Sequence, residues 1–291
     1  MQAEFLQFLF SGITVGATYA LAAVGFTLIY NSSHVINFAQ GEFIMLGGML
    51  AVYFTHSGIP LTLALAAAIL VPAVVGLVME KMVIEPVKGA EPVTLIIITI
   101  GASLVLRGLV QIWLGKGTFS LTPFSGEEPI HVLGATLMPQ SLWVLGVTAV
   151  VVAALWYFFA CTLMGKAMLA TSFNRTAAEL VGINTDGVLF LSFAMSAALG
   201  ALGGILVTPI TLTSYDAGIM LGLKGFVGAV LGGLGNGLGA VVGGLLVGVL
   251  EAMGAGYISS SYKDAMPFVL ILLILFFRPS GIFGGKATDR V

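Results

Sequence analysis

Residues 60–79 read PLTLALAAAILVPAVVGLVM, twenty consecutive residues without one charged or amide side chain. An α-helix rises about 1.5 Å per residue, so about 20 apolar residues cross the roughly 30 Å hydrocarbon core of a bilayer. A helix also satisfies its own backbone hydrogen bonds, which lipid cannot do for it. This stretch therefore predicts a transmembrane helix.

The composition extends that prediction to the whole chain. Of 291 residues, 58% are hydrophobic and only 8% are charged, against about 25% charged in an ordinary soluble domain. A water-exposed surface cannot be built from so few charges, so a lipid bilayer must cover much of the protein. The formal net charge of −2 also argues against a nucleic-acid partner.

Further apolar segments recur along the chain, some of them short for a full crossing. They cover residues 5–30, 42–54, 92–114, 142–160, 188–207, 238–253 and 266–277. The stretch 220–234 is short and rich in glycine, which predicts a short or broken helix. We expect an all-α polytopic membrane protein with eight to ten crossings, nine in the favoured arrangement. No linker divides residues 1–291, so they are expected to form one membrane domain.

The basic residues predict the orientation. Seven of the eleven lie in three places, which are Lys81 with Lys88, Lys166 with Arg175, and the C-terminal Arg278, Lys286 and Arg290. Nine crossings put all three places on one side, which the positive-inside rule makes cytoplasmic. The parts then expected outside are the N-terminus, Lys116, Lys224, Lys263 and the polar loop 116–140, which contains Glu127 and Glu128.

Motifs of enzymes and metal sites are absent from the sequence. Cys161 is the single cysteine, and His34, His56 and His131 have no metal-ligand spacing. No GxxxxGK[ST] phosphate loop occurs, so any ATP must be hydrolysed by another polypeptide. We expect no enzymatic activity, cofactor or metal. The first apolar segment follows Glu4 and no basic region, so we expect it to be retained rather than cleaved as a signal peptide.

The loop 162–186 contains the run GKAMLATSFNRTAAELVGINTD over residues 165–186. Its middle, 172–181, is predicted to be a short amphipathic helix with Thr171 or Ser172 as N-cap and Gly182 as left-handed C-cap. Such a helix either transmits motion from a partner to the adjoining spans or merely connects them at the membrane interface. Arg175 and Glu179 are four residues apart and can form an ion pair.

Polar side chains also interrupt residues 29–48, IYNSSHVINFAQGEFIMLGG. If the backbone breaks near residues 37–41, a new helix begins there and its free N–H groups can face a substrate carboxylate. The alternative is an ordinary turn between two spans. Because polar groups at membrane depth usually face a wet cavity, the residues predicted near a translocation path are Thr18, Tyr19, Asn37, Gln40 and Glu42.

Glycine-rich stretches at 41–48 and 225–233 suggest an inverted repeat. The longer run 217–244 either packs helices closely or forms a broken helix beside the path. Two isolated charges lie inside predicted spans. Arg107 and Glu251 are each expected to line the path, pair with another polar group or snorkel to an interface, and snorkelling is favoured for Glu251 because it lies near the end of its segment.

With these residues in view, the chain resembles the LivH-type permease subunits of branched-chain amino acid ABC importers. The resemblance covers nearly the whole chain and is strongest at TYALAAVGFTLIYNSSHVINFAQGEF (18–43), the run 165–186, KGFVGAVLGGLGNGLGAVVGGLLVGVLEA (224–252) and RPSGIFG (278–284). One departure is that family members carry histidine in an NFAHGE motif where this chain has Gln40, and glutamine cannot become cationic.

The resemblance implies an ABC importer permease fold in the bacterial inner membrane and a small neutral substrate such as leucine, isoleucine or valine. It implies four kinds of partner: a second homologous permease, two ATP-binding cassette ATPase subunits, a periplasmic binding protein and the lipid bilayer. The loop 162–186 would couple to the ATPase, with small Ala177 and Ala178 permitting close approach to it. The coupling residues expected are Gly165, Lys166, Asn174, Arg175, Ala178, Glu179 and Gly182.

Other functions remain open from the sequence. Permeases of urea or short-amide ABC importers are similar to the same family. The run Asn37-Phe38-Ala39 resembles the asparagine motif of water and glycerol channels, but the other half has no matching motif. A transporter driven by an ion gradient is a third class. An intramembrane enzyme is disfavoured because the sequence shows no nucleophile–base pair.

Overall fold

A computed structural model describes residues 2–87, 89–132 and 134–284, and this part of the chain is almost entirely helical. Its α-helices are α1 Gln2–Ser33, α2 Gln40–His56, α3 Leu61–Met79, α4 Pro92–Leu114, α5 Pro139–Cys161, α6 Leu163–Phe173, α7 Arg175–Leu180, α8 Thr185–Thr211, α9 Ala217–Gly232, α10 Gly237–Tyr257 and α11 Met266–Phe277. A hairpin of β1 Ile130–Val132 and β2 Ala135–Leu137 is antiparallel. Lys88, Lys286 and Arg290 lie outside the described residues.

Every predicted apolar segment is a helix. Within the described residues, six helices are long and apolar enough to cross a membrane, and α9 and α11 are shorter apolar helices of 16 and 12 residues. Helix α2 has 17 residues. The α3 helix continues through a π-helical turn, Glu80–Ile84, and a 3₁₀ turn, Glu85–Val87. The prediction of an all-α polytopic membrane protein is confirmed.

Contacts between distant segments define two ends of the helix bundle. At one end, Phe119 pairs with Thr213 across an isolated bridge, and Gln7 bonds the backbone of Thr136. At the other end, Asn31 donates to Gly235 O over 3.0 Å. The loop 115–138 therefore lies opposite the turn between α9 and α10. That separation agrees with nine crossings, while the side facing the cytoplasm stays a prediction.

Helix α1 is the centre of the bundle. Of its most apolar 18-residue stretch, 89% is buried inside the protein, whereas only 11% of the corresponding stretch of α5 is buried. Helix α5 is therefore a peripheral helix. The polar residues of α1 fit this environment because their hydroxyls bond the helix itself. Thr18 donates to Val15 O and Thr27 to Ala23 O. Back-bonding of this kind leaves no hydroxyl hydrogen unsatisfied in an apolar core.

The glycine-rich run 217–244 packs helices closely. A methyl group added at Gly228 of α9 would lie 2.9 Å from the Gly244 Cα of α10, and one added at Gly248 would lie 2.3 Å from the Gly16 Cα of α1. These distances leave no room for any side chain, so small residues set the spacing of α1, α9 and α10. Helix α9 is short but continuous, which favours the packing interpretation over a broken helix.

Two ion-pair networks tie further helices to this core. In the first, Lys224 Nζ of α9 lies 2.8 Å from Glu251 Oε1 of α10 and 2.7 Å from Asp264 Oδ1. The Tyr19 hydroxyl of α1 donates to Glu251 Oε2 over 2.9 Å. Of the outcomes expected for Glu251, the structure selects pairing with a polar group rather than the favoured snorkelling, because the residue is only 9% exposed and two partners satisfy its carboxylate.

The second network joins α2 to the peripheral helix α4. Glu42 Oε1 accepts hydrogen bonds from Ser103 Oγ over 2.8 Å and from Arg107 Nη2. Glu42 is 1% exposed. Of the outcomes expected for Arg107, the structure selects pairing with a polar group. A buried charge is tolerated at such a depth because it is paired.

The C-terminal RPSGIFG stretch closes one end of α9. Ile282 N–H donates to Leu231 O over 2.8 Å and Phe283 N–H to Gly232 O over 3.1 Å. These two carbonyls belong to the last turn of α9, where an α-helix has no internal donors. Gly281 has φ +78°, and an added Cβ would lie 2.6 Å from Gly233 N. We call residues 278–284 the C-terminal clasp.

Replacing Gly281 by valine should release the C-terminal clasp, because the substitution strains a left-handed backbone and collides with Gly233. We expect a lower melting temperature of the purified permease and at least fivefold faster thiol labelling of an Ile282→Cys reporter. Gly237→Ala is the matched control, since nothing lies within 4 Å of its added Cβ. Equal labelling rates in both variants would contradict the assignment.

The Lys224 network makes a second prediction. Lys224→Met leaves the Glu251 carboxylate buried without its cation, which costs on the order of 3–5 kcal/mol. Adding Glu251→Gln removes the uncompensated charge, so the double variant should be more stable than Lys224→Met alone. Thermal unfolding in detergent measures the stability of Lys224→Met and of the double variant. Simple addition of the two single losses would show that the pair is not coupled.

Candidate translocation path and coupling surface

The break between α1 and α2 is formed by residues 34–39. His34 has φ +56°, and the Asn37 side-chain oxygen accepts the Ala39 N–H over 3.0 Å. This turn is one that asparagine stabilises by mimicking a backbone acceptor. The predicted break near residues 37–41 is confirmed. The Gln40 and Glu42 N–H groups already donate to Asn37 O and Ala39 O, so they do not face a cavity.

Gln40 joins three helices rather than an open path. Its Nε2 donates to Ser196 O over 3.0 Å, and its Oε1 accepts the Ser196 hydroxyl hydrogen bond over 2.6 Å. The same Ser196 hydroxyl lies 2.8 Å from Gly25 O of α1. An added Cβ at Gly25 would lie 2.2 Å from Gln40 Nε2. The amide therefore fills a site between α1, α2 and α8 that has no free space.

The residues predicted near the path are closed off in this conformation. Each of them is at most 4% exposed: Thr18, Tyr19, Asn37, Gln40 and Glu42. Tyr19, Gln40 and Glu42 belong to three different hydrogen-bond networks, so the structure does not gather them around one ligand. Of these residues, Asn37 lines a small cavity of about 30 Å³.

Two larger cavities lie elsewhere, along α1, α5 and α10. One has a volume of about 350 Å³ and the adjoining one about 530 Å³, and they share Val152, Trp156, Leu238 and Val241. We call them together the side groove. Its lining is mostly apolar, with hydroxyls from Thr27 and Thr148 and with amides from Asn31 and Asn236 near one end. Sequence reasoning missed the side groove because its residues look like any lipid-facing apolar span.

The loop 162–186 contains two helices rather than the single one predicted over 172–181. Helix α6 runs to Phe173, and α7 begins at Arg175. Asn174 is extended between them, and its side chain accepts the Ala177 N–H over 2.9 Å. The predicted caps Thr171 and Ser172 are therefore wrong: Asn174 caps α7, and Thr162 caps α6 by accepting the Gly165 N–H.

The two glycines of the loop, Gly165 and Gly182, have different structural roles. Gly182 has φ +87° after α7, as predicted for a left-handed helix end. Gly165 was expected to serve a turn, but it lies in the first turn of α6. An added Cβ there would lie 2.1 Å from Phe158 O of α5. Glycine is needed at that position because the two helix ends meet without space for a side chain.

Arg175 organises α7. Its Nε lies 3.2 Å from Glu179 Oε1, as predicted, and its Nη2 lies 2.7 Å from Asp186 Oδ1. The Thr185 hydroxyl donates to Glu179 Oε1 over 2.6 Å. The hydrogen bond from Thr185 and then that from Arg175 lower the pKa of Glu179, so its carboxylate stays ionised at neutral pH. These contacts hold α7 against the start of α8.

The outer face of the loop is apolar. Phe173, Leu180 and Val181 are 88%, 84% and 77% exposed. Lys166 is also exposed. Ala178 was expected to face a partner, but it is 3% exposed and is buried beneath α7. The surface available to a partner is therefore made by large apolar side chains around Asn174, rather than by the small alanine. We call Phe173, Leu180 and Val181 the apolar ridge.

Comparisons with known proteins agree with this architecture. Residues 8–275 match the family described as branched-chain amino acid transport system / permease component. The chain is 35% identical to the high-affinity branched-chain amino acid transport system permease protein LivH of Salmonella typhimurium, over 99% of this chain and 98% of that protein. It is 34% identical to BraD, a permease protein of the same description from Pseudomonas aeruginosa, with the same coverage.

A solved structure supports the fold. PsaBC from Streptococcus pneumoniae in complex with Fab contains a chain that superposes with a TM-score of 0.53 at 16% identity, over 96% of this chain and 97% of that one. Together with six helices able to cross a membrane, these matches indicate a multi-pass permease. The chain belongs to the family of permease components of branched-chain amino acid transport systems.

Proposed function

We propose that this chain is the membrane-spanning permease of an ATP-driven importer that carries leucine, isoleucine and valine across the bacterial inner membrane. Its partners would be a second homologous permease, two ATP-binding cassette ATPase subunits and a periplasmic binding protein. The observation that carries the proposal is the near full-length similarity to LivH and BraD. Two features of the geometry support it: the exposed apolar ridge and the mostly apolar side groove.

The apolar ridge is the surface proposed to meet the ATPase. Large apolar side chains projecting from a polar loop typically mark an interaction site. Here they project from helices fixed by the Asn174 cap and by the Arg175 ion pairs. A partner that moves the ridge therefore moves α6 and α7 as rigid elements, and with them the ends of α5 and α8. Asn174 and Arg175, two of the coupling residues expected from the sequence, thus hold the helix that carries part of the ridge.

The side groove is the route proposed for the substrate. Its apolar lining suits an aliphatic side chain, and the amides of Asn31 and Asn236 near one end suit a polar ammonium or carboxylate. An apolar lining favours branched-chain amino acids over urea or short amides. The five predicted path residues would contribute by fixing the helices that frame the side groove, or after a rearrangement that opens the break at 34–39.

The direct test is uptake in proteoliposomes that contain the permease, its genomic partner subunits and ATP inside. Radiolabelled leucine, valine, urea and acetamide are compared at equal concentration. We expect uptake of leucine and valine that depends on ATP and on the binding protein. ATP-dependent uptake of urea or acetamide alone would assign the chain to the related amide importers, and uptake without ATP would indicate a passive channel.

Phe173→Ser and Leu180→Ser should weaken ATPase docking, because each removes a large apolar contact. We expect each variant to recover at least fivefold less ATPase subunit on co-purification and to lose uptake in proportion. Thr176→Ala is the matched control, since Thr176 is exposed on the same helix but has no large apolar side chain. Undiminished recovery in both serine variants would leave the loop as a connector.

Val152→Trp should obstruct the side groove. We expect leucine uptake to fall at least tenfold while the recovery of ATPase subunits is unchanged. The control is Val150→Trp, because Val150 lies on the same helix, is 67% exposed and does not line the side groove. Equal uptake by the two variants would place the route elsewhere in the complex.

A further inference from the structure

A second, smaller cavity lies where the loop helix α7 meets the membrane-spanning helices. It has a volume of about 30 Å³, and we call it the junction cavity. Its polar lining comes from Ser33, Asn37, Thr99 and Arg175. The rest is made of apolar side chains from α1, α4, α8 and the turn Glu80–Ile84. The junction cavity is thus a place where the coupling loop and the α1–α2 break meet.

Asn37 has an unused donor at this place. Its side-chain oxygen accepts the Ala39 N–H, which fixes which way the amide is turned. The Nδ2 group is buried and has no hydrogen-bond partner within the described residues, and the residue is 1% exposed. A buried N–H₂ without a partner is unusual and calls for an acceptor nearby. Because Asn37 lines the junction cavity, a water molecule bound there can be that acceptor.

The size of the junction cavity suits water. A cavity of about 10–15 Å³ measured in this way holds one water molecule, provided two to four polar groups surround it. The junction cavity therefore has room for one or two. Thr99 fixes the neighbouring backbone by accepting the Phe38 N–H. The guanidinium of Arg175 has five donors, of which Nε and Nη2 supply its ion pairs, so it can also bond water.

We propose that Arg175 is a positioning residue that transmits the movement of α7 to Asn37 through water in the junction cavity. This inference rests on the proposed function. Arg175 is the first residue of α7, so displacement of that helix changes the water that Asn37 can bond. Asn37 in turn holds the backbone turn from which α2 begins. The position of α2, and of the helices α8 and α9 packed on it, then follows the coupling loop.

A double-mutant cycle on the complete transporter in proteoliposomes tests the proposal. The quantity measured is leucine transported per ATP hydrolysed. We expect Asn37→Ala and Arg175→Ala each to lower this ratio about fivefold, and the double variant to lower it no further than the worse single one. Independent actions would multiply to about 25-fold, and that result would overturn the proposal. Melting temperature and ATPase recovery show whether each variant assembles.

Two controls separate the water contact from the ion pairs of Arg175. Glu179→Gln and Asp186→Asn each remove one of those pairs, leave Arg175 held by the other and change no residue that lines the junction cavity, so each should multiply with Asn37→Ala rather than couple to it. Coupling of equal size in these controls would show that Arg175 acts through its ion pairs and would overturn the proposal. If Asn37→Ala does not assemble, Asn37→Ser with Arg175→Lys repeats the cycle with milder changes.

A third variant addresses the water itself. Leu95→Phe enlarges an apolar side chain that lines the junction cavity and leaves every polar group in place. It should lower the coupling ratio as Asn37→Ala does, and an unchanged ratio would contradict the role of water. Failure of wild-type uptake would overturn the proposed function, whereas normal wild-type uptake with multiplying losses overturns only this inference.

Discussion

Lipid supplies no hydrogen-bond partners, and the need to satisfy every polar group from within the protein explains much of this structure. The hydroxyls of α1 bond their own helix. Glu42 and Glu251 each meet a cation on another helix. The non-helical break at 34–39 is held by the Asn37 side-chain oxygen, which accepts the Ala39 N–H, and by the Gln40 N–H, which donates to Asn37 O. The main role of the polar residues in this protein is therefore to hold helices together.

Glycine packing and charged contacts also distinguish the rigid parts of the permease from the parts that are free to move. Helices α1, α9 and α10 touch backbone to backbone through glycines and form one closely packed body. Helices α4 and α11 lie outside that body, with charged contacts at Arg107 and Asp264. The hydrogen bond from Lys224 lowers the pKa of Asp264, which keeps that contact ionised at neutral pH. The peripheral helix α5 and the loop after it are left as the elements that a partner can shift.

The helices were predictable from sequence because apolar length alone determines them in a bilayer. Each predicted segment is a helix, including the short α9. The side-chain assignments were harder, since a polar residue in an apolar stretch looks the same whether it faces a cavity or a buried partner. Glu251 has Lys224 as its partner, 27 positions away, and no local sequence pattern predicts that pair. Ala178 faces inward for a similar reason: Asn174 restarts the helix and sets which side is buried.

The loop 162–186 is proposed to lie in the cytoplasm and to meet an ATPase through its apolar ridge. Labelling of Leu180→Cys with a membrane-impermeant maleimide, in a chain whose exposed Cys161 is replaced, tests both parts at once. If the loop is cytoplasmic and its apolar ridge binds the ATPase, Leu180→Cys should not be labelled from outside intact cells. It should be labelled rapidly in inverted vesicles without the ATPase and should be protected when the ATPase is bound. Labelling from outside, or equal labelling with and without the bound ATPase, would contradict it.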